Sequence, residues 1–189
     1  YNKATQKGLI RHFTAIAETV NIPALLYNVP SRTGLNIAPQ TIVTLCREVP
    51  NIVGVKEASG NISYVAKLFE RCGDQLDIYS GNDDMIVPVM SLGGAGVISV
   101  LSNILPRETH EITQFCLKGN FKSATALQLK YLELINALFS EVNPIPIKEA
   151  MNLMGMNVGS CRMPLVRMSS ENLTTLVACL QKHKLIPEL

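Results

Sequence analysis

The residue with the clearest chemical potential is a lysine inside an apolar run. Lys56 lies in IVGVKEAS, positions 52–59, and the adjacent Glu57 points to the opposite face if this run is a strand. An amine in apolar surroundings loses stabilisation of its ammonium form, so its pKa falls and it becomes a nucleophile able to form a Schiff base with a ketone. The alternative is a lysine at a strand end that reaches solvent or an ion pair, and position alone leaves both open.

Two further side chains follow the preceding apolar run, in YNVPSRTG at positions 27–34. Tyr27 carries a phenol that could relay protons between an attacking amine and a substrate, although a lone tyrosine is more often packed with its hydroxyl bonded. Arg32 has a planar guanidinium that suits a carboxylate, although most loop arginines are solvated. Each residue is weak evidence by itself.

A third group of candidates lies in SGNDD, at positions 80–84. Gly81, Asn82 and Asp83 are candidate substrate-binding residues, because the glycine would let a ligand approach the backbone closely. For Asp83 or Asp84, a helix N-cap is the favoured interpretation. The glycines of GGAG, positions 93–96, precede an apolar run rather than follow one, which favours a tight turn over a phosphate site.

These residues fall at or just after the ends of short apolar runs that alternate with amphipathic helices. The runs cover positions 23–30, 52–59, 76–83 and 96–103, and their continuous apolar character predicts a parallel sheet buried on both faces. The C-terminal ends of such strands share one edge, where barrel enzymes keep their active sites. A lysine nucleophile, a proton relay and a carboxylate binder at that edge indicate a small 2-oxo acid.

Four β/α units suit either the C-terminal half of a (β/α)8 barrel or a complete doubly wound domain, and periodicity leaves the two level. We predict the α/β half-barrel, with units 5–8 in residues 1–119 and a helical C-terminal subdomain in residues 120–189. A long helix is expected from position 120 to about 139. The chain opens with Tyr1 rather than Met, so we expect it to be the tail of something longer.

Composition excludes several classes of function. The formal net charge is only +2 and the basic residues are scattered, which gives no support to nucleic-acid or membrane-surface binding. The dispersed histidines offer no metal-ligand spacing, and no apolar run reaches the roughly 18 residues that span a bilayer. The cysteines are odd in number and unpatterned, which indicates reduced thiols in a cytoplasmic protein.

The motifs together resemble the dihydrodipicolinate synthase family in order and spacing. They are YNVPSRTG, GVKEASG, SGNDD, GGAGVISVLSN and NPIPIK, and they run over essentially the whole chain. The resemblance implies that Lys56 forms a Schiff base with pyruvate, that Tyr27 relays protons and that Arg32 contacts the carboxylate of the second substrate. It also implies that the backbone carbonyl of Ile98 lies near the lysine and that Tyr1 crosses a dimer interface into a neighbouring site.

The resemblance further implies condensation of pyruvate with L-aspartate 4-semialdehyde to 4-hydroxy-tetrahydrodipicolinate, in lysine and diaminopimelate biosynthesis. No cofactor is expected beyond the covalent link to Lys56. The full-length protein is expected to be a cytoplasmic homo-oligomer, a tetramer of dimers. The family's catalytic threonine and pyruvate-carboxylate loop belong to a preceding half, so we expect this chain alone to have little turnover and to dimerise or aggregate through open sheet edges.

Two alternatives stay open. N-acetylneuraminate lyase and 2-keto-3-deoxy acid aldolases share the lysine and the tyrosine, but the SRTG context of Arg32 favours the synthase. The second alternative is a truncated, non-catalytic binding or interaction module.

Overall fold

The computed structural model of the chain describes residues 2–187, except the side chain of Asp74. Contacts divide the chain after Ile98 into two compact units, whereas the motifs predicted the division after residue 119. The helix Pro106–Leu117 accounts for the difference, because it packs against the helix Phe121–Lys130 within the second unit. The assignment of residues 1–119 to β/α units 5–8 stays a prediction.

The first unit alternates strands and helices. Its strands are β1 (Ala24–Asn28), β2 (Ile52–Glu57), β3 (Asp77–Ser80) and β4 (Gly96–Val97). Its α-helices are α1 (Gln6–Ala17), α2 (Pro30–Thr33), α3 (Pro39–Glu48), α4 (Ile62–Cys72) and α5 (Ile86–Ser91), and short 3-10 helices cover Gly73–Gln75 and Asp83–Met85. The predicted alternation is confirmed, although β4 is much shorter than the apolar run that predicted it.

Local signals in the sequence explain where these helices begin. The hydroxyl of Thr5 accepts a hydrogen bond from the Gly8 N–H at 3.2 Å, so Thr5 caps α1 as predicted. The side chain of Asn61 accepts from the Tyr64 N–H at 3.0 Å and caps α4. Pro39 occupies the first turn of α3, where its missing N–H leaves no bond unmade.

Within residues 2–187 the strands form one parallel sheet in the order β1-β2-β3-β4. A doubly wound sheet reverses its strand order at a switch point, and no reversal occurs among these four strands. The consecutive order is the one found in barrels. It therefore favours the partial barrel over the complete doubly wound domain.

Helices cover one face of this sheet, which we call the outer face. Leu26, Ile52, Val55 and Ile78 on that face pack with buried helix residues into one apolar core. The side chains on the opposite, inner face are open. Leu25 is 43% exposed and Tyr27 is 44% exposed. Val53, which has no partner at the register shift between β1 and β2, is 36% exposed. The expectation of burial on both faces is therefore wrong for this structure, because the described residues contain a helix layer on one side only.

The second unit is helical. It contains a 3-10 turn at Leu101–Asn103 and the helices α6 (Pro106–Leu117), α7 (Phe121–Lys130), α8 (Leu132–Leu138), α9 (Ile145–Leu153) and α10 (Ser170–Lys182). The single long helix predicted from position 120 is interrupted at Tyr131, where the backbone turns to φ −103° and ψ 4°. The apolar residues of the second unit form a second core, which includes Leu134, Leu138 and Leu176.

Candidate active site

The lysine and the tyrosine singled out from the sequence lie side by side. Parallel pairing aligns Tyr27 of β1 with Lys56 of β2, and Lys56 with Tyr79 of β3. Paired residues in a sheet project from the same face, so all three belong to the inner face. The Lys56 Nζ lies 4.4 Å from the centroid of the Tyr27 ring. The register thus brings an amine and a phenol-bearing ring together on a half-open surface.

Glycine at position 81 makes room for the lysine. A Cβ at this position would lie 2.6 Å from the Cβ of Ala58 and 3.2 Å from the Cε of Lys56. The Gly81 N–H also donates to the carbonyl of Glu57 at 2.7 Å. Gly81 was predicted to allow a ligand close to the backbone, and the structure shows that it allows the lysine itself to lie against the end of β3.

Strand alternation predicted that Glu57 points away from Lys56 and is not its ionic partner, and the structure agrees. Glu57 points to the outer face and is only 4% exposed. Its carboxylate accepts hydrogen bonds from the Asn28 side-chain amide at 2.6 Å and from the Ser59 N–H at 2.6 Å. Sequence reasoning missed this network. The available signal was that Asn28 and Glu57 each follow a candidate site residue by one position, on neighbouring strands.

Arg32 lies on the short helix α2, directly after β1. Pro30 begins that helix, and Gly34 ends it with φ 64°, a left-handed conformation that glycine adopts without strain. The Thr33 hydroxyl donates to the Leu35 carbonyl at 2.9 Å, which further defines the turn. Arg32 is exposed in this turn, past the same end of the sheet that carries Lys56.

The remaining predicted residues divide into three cases. Asn82 and Asp83 follow β3, and the Ser80 hydroxyl donates to the Asn82 carbonyl at 2.7 Å. Asn82, rather than Asp83 or Asp84, occupies the position preceding the 3-10 helix, so the N-cap interpretation is wrong. Ile98 continues the sheet through a 2.9 Å bond from its N–H to the Ser80 carbonyl. Tyr1 lies outside the described residues.

Other kinds of site find no support in the part of the chain that the structure describes. Residues 2–187 contain no group of three histidine, cysteine, aspartate or glutamate side chains placed to hold a metal ion. Within the same residues, no helix combines the length and the apolar character that a bilayer crossing requires. Burial raises the pKa of the Cys46 thiol to about 12, reinforced by the neighbouring Cys72, so this thiol stays protonated at neutral pH.

The first unit thus has the architecture of a partial β/α barrel with a lysine and a tyrosine at adjoining strand ends. The sequence model of the dihydrodipicolinate synthetase family matches residues 1–183. The chain therefore belongs to that family, as the motifs indicated.

Individual relatives agree with this placement. The 4-hydroxy-tetrahydrodipicolinate synthase of Lachnoclostridium phytofermentans is 60% identical over 186 residues, which are 98% of this chain and 63% of the relative. The crystal structure of dihydrodipicolinate synthase from Aquifex aeolicus superposes with a TM-score of 0.96 at 40% identity, covering 100% of this chain and 64% of that one. The chloride-inhibited enzyme from Acinetobacter baumannii, solved in complex with pyruvate, gives 0.94 at 39% identity, covering 98% and 64%.

These comparisons confirm the predicted fold class, part of a (β/α)8 barrel followed by a helical extension. The chain spans about 63% of the length of the synthases of Lachnoclostridium phytofermentans and Clostridium tetani.

Proposed function

We propose that the gene's complete product condenses pyruvate with L-aspartate 4-semialdehyde through a Schiff base on Lys56, forming 4-hydroxy-tetrahydrodipicolinate. The observation that carries the proposal is the pairing of Lys56 with Tyr27, whose ring centroid lies 4.4 Å from the lysine Nζ. The substrates are inferred from the relatives, which are named 4-hydroxy-tetrahydrodipicolinate synthase. The activity is assigned to the complete product because this chain covers only part of each relative's length.

The first half of the reaction requires an amine and a proton relay. The Lys56 amine attacks the keto carbon of pyruvate, and the keto oxygen takes up a proton, which we expect Tyr27 to deliver. A second proton on that oxygen lets it leave as water, and the lysine–carbon double bond forms. No electrons are exchanged with an external carrier, so the covalent link to Lys56 takes the place of a cofactor.

The second half forms the carbon–carbon bond. Loss of a methyl proton converts the imine to an enamine, whose terminal carbon attacks the aldehyde of the second substrate. The amino group of that substrate then displaces the Lys56 amine, which closes the ring and frees the enzyme. The overall reaction releases one water. Arg32, exposed beyond the end of β1, is the proposed ligand for the carboxylate of the semialdehyde.

Arg32 also distinguishes the synthase from lyases that cleave keto-deoxy sugar acids. A guanidinium past the strand end favours a short substrate with its own carboxylate over a polyhydroxyl chain. The complete product is expected to consume aspartate semialdehyde in the presence of pyruvate and to leave N-acetylneuraminate and 2-keto-3-deoxy acids intact. Cleavage of either sugar acid without activity on the semialdehyde would reassign the substrate while preserving the chemistry.

Three further parts of the proposal concern the whole protein. We place it in the cytoplasm, which the unpaired state of Cys46, Cys72, Cys116, Cys161 and Cys179 supports. We expect a homo-oligomer, a tetramer of dimers, in which Tyr1 reaches a neighbouring active site. The backbone carbonyl of Ile98 is proposed to face the substrate bound to Lys56, with Gly81, Asn82 and Asp83 beside it.

The test is reduction with borohydride in the presence of pyruvate, followed by peptide mapping of the complete product. A reduced pyruvyl adduct is expected on Lys56 and nowhere else. Lys56→Arg should abolish the adduct, whereas Lys67→Arg, which changes an exposed lysine of α4, should leave it unchanged. An adduct on another lysine, or none in the wild-type protein, would remove the mechanism.

A further inference from the structure

We propose that Asn28 and Glu57 are positioning residues that set the separation of Tyr27 and Lys56 from behind the sheet. The inference rests on the proposed function, since it concerns the same amine and phenol. It goes beyond that function by assigning a role in rate to two side chains that cannot touch a substrate on the inner face. Both lie on the outer face, one position after the residues that they would hold.

The side chain of Asn28 forms hydrogen bonds through both its nitrogen and its oxygen. Its amide nitrogen donates to the Glu57 carboxylate at 2.6 Å and to the Asn36 side-chain oxygen at 2.8 Å, which uses both of its hydrogens. Its oxygen accepts from the Ile37 N–H at 3.0 Å. The side chain is fully buried. Asn28 therefore ties the end of β1 both to β2 and to the segment that leads into α3.

Glu57 ties the end of β2 in the same way. One carboxylate oxygen accepts from Asn28, and the other accepts from the Ser59 N–H at 2.6 Å. The second bond fixes the loop that follows β2. A carboxylate buried to 4% exposure loses its hydration, and this loss is offset only when its hydrogen bonds are well formed.

The position of this pair is what links it to function. The preceding outer-face residues of the two strands, Leu26 and Val55, are apolar and buried. The next outer-face positions along the two strands are Asn28 and Glu57, which pair with each other. This polar pair lies one residue beyond the pair that Tyr27 forms with Lys56. A buried polar network is costly where an apolar pair would pack, and it specifies one geometry when all of its members are satisfied. Here it specifies the geometry of the strand ends that carry the amine and the phenol.

Backbone bonds would hold the sheet together without this pair. The Ala58 N–H donates to the Asn28 carbonyl at 2.9 Å and the Gly81 N–H donates to the Glu57 carbonyl at 2.7 Å, and neither bond needs a side chain. Loss of the pair should therefore loosen the strand ends rather than unfold the unit. Small displacements of reacting groups reduce the rate of chemistry by up to about 100-fold, whereas substrate affinity depends on other contacts.

A charge-preserving exchange provides the test. Glu57→Gln alone replaces one of the two acceptor oxygens with an amide nitrogen. In either orientation of the new amide, that nitrogen faces another donor, which is the Asn28 side-chain amide or the Ser59 N–H. Asn28→Asp alone places two carboxylates together. The double variant Asn28→Asp/Glu57→Gln restores a donor facing an acceptor, keeps acceptors for Ser59 and Ile37, and preserves net charge. Asn36 can turn its amide to donate to the new carboxylate.

We expect each single variant of the complete product to lose about 10- to 100-fold in kcat and in the rate of pyruvate adduct formation on Lys56, with a much smaller change in KM. The double variant should recover most of both rates, as in a double-mutant cycle between coupled residues. Asn51→Ala is the matched control, because Asn51 bonds the carbonyls of Ala17 and Val20 at the opposite end of the sheet. It should leave both rates per folded molecule unchanged.

The outcomes separate the two proposals. Lack of a Lys56 adduct in the wild-type protein would contradict both the proposed function and this inference. If the wild-type protein forms the adduct and the folded single variants form it at the same rate, this inference alone would be overturned. If the single variants fail to fold, the double variant decides, since rates no better than background in a folded double variant would also overturn it.

Discussion

At the ends of β1 and β2, the two faces of the sheet differ in the burial and the hydrogen bonding of their side chains. On the inner face, Tyr27 is 44% exposed and Lys56 is half-buried, and the two meet through a ring contact rather than a hydrogen bond network. On the outer face, Asn28 and Glu57 are buried and joined by a hydrogen bond of 2.6 Å. Neighbouring positions on a strand thus separate the proposed reactive groups from the groups proposed to position them.

This difference follows from the period of a β-strand. Successive side chains project to opposite faces, so a strand end can carry one residue toward the substrate side and the next toward the core. The backbone between them is shared. Any restraint on Asn28 or Glu57 is therefore transmitted over a single residue to Tyr27 or Lys56, without a path through the fold.

The largest expected effect on stability separates the two faces at adjacent leucines. Leu26 on the outer face is 3% exposed and Leu25 on the inner face is 43% exposed. Leu26→Ala should lower the free energy of unfolding by about 2–5 kcal/mol, because it leaves a cavity in the core. Leu25→Ala should cost less than about 1 kcal/mol. Urea denaturation of the 189-residue chain measures both, and equal losses would contradict the assignment of the two faces.

Much of this contrast follows from the sequence and some of it does not. The run IVGVKEAS predicted both a buried strand and the opposed directions of Lys56 and Glu57, because alternation needs only the period of the strand. The exposure of Leu25 and Val53 was not predictable from their apolar character, since a continuous apolar run is typical of a strand covered on both sides. The Asn28–Glu57 bond depends on the register between strands, which periodicity within one strand does not reveal.

The second unit shows the same limit. Its helical character followed from apolar spacing, yet the interruption at Tyr131 did not, because a local change of backbone angle leaves the spacing of Leu127 and Leu134 almost unaltered. The hydrogen bonds that Glu141 accepts from Ser169 and Asn172 were equally hidden. They join residues about thirty positions apart.

An intermediate effect is expected at Gly81, where the two faces are coupled. A methyl group at this position would press on Ala58, on the Glu57 carbonyl and on the Lys56 side chain. Gly81→Ala should destabilise the chain by about 1–3 kcal/mol through overpacking, and it should slow adduct formation on Lys56 of the complete product by about 10-fold.

Gly8 provides the control for this substitution. A Cβ there would meet the Thr5 hydroxyl at 3.4 Å and the Ala4 Cβ at 3.8 Å, which are ordinary contacts. Gly8→Ala should therefore be neutral or stabilising by up to about 1 kcal/mol, since alanine favours the helix. If Gly81→Ala also proved neutral in both measurements, the close packing of Lys56 against β3 would have no energetic consequence.

The smallest effect concerns the phenol behind the outer-face network. The Tyr64 hydroxyl donates to the Ile37 carbonyl at 2.5 Å, and Ile37 in turn donates to Asn28. Burial raises the pKa of Tyr64, and the negative charge of Glu57 raises it further. Tyr64→Phe should cost about 1 kcal/mol near pH 7, because the Ile37 carbonyl loses its donor.

The dependence of this cost on pH gives the stricter test. The folded state favours the protonated phenol, so the stabilisation by Tyr64 is fully present below the unfolded-state pKa of about 10 and is lost as pH rises above it. The difference in unfolding free energy between wild type and Tyr64→Phe should therefore shrink above about pH 10. Tyr27→Phe, on the exposed inner face, should change stability by less than about 0.5 kcal/mol. A larger loss for Tyr27→Phe than for Tyr64→Phe would reverse the proposed division, because the inner face would then hold the strand ends in place.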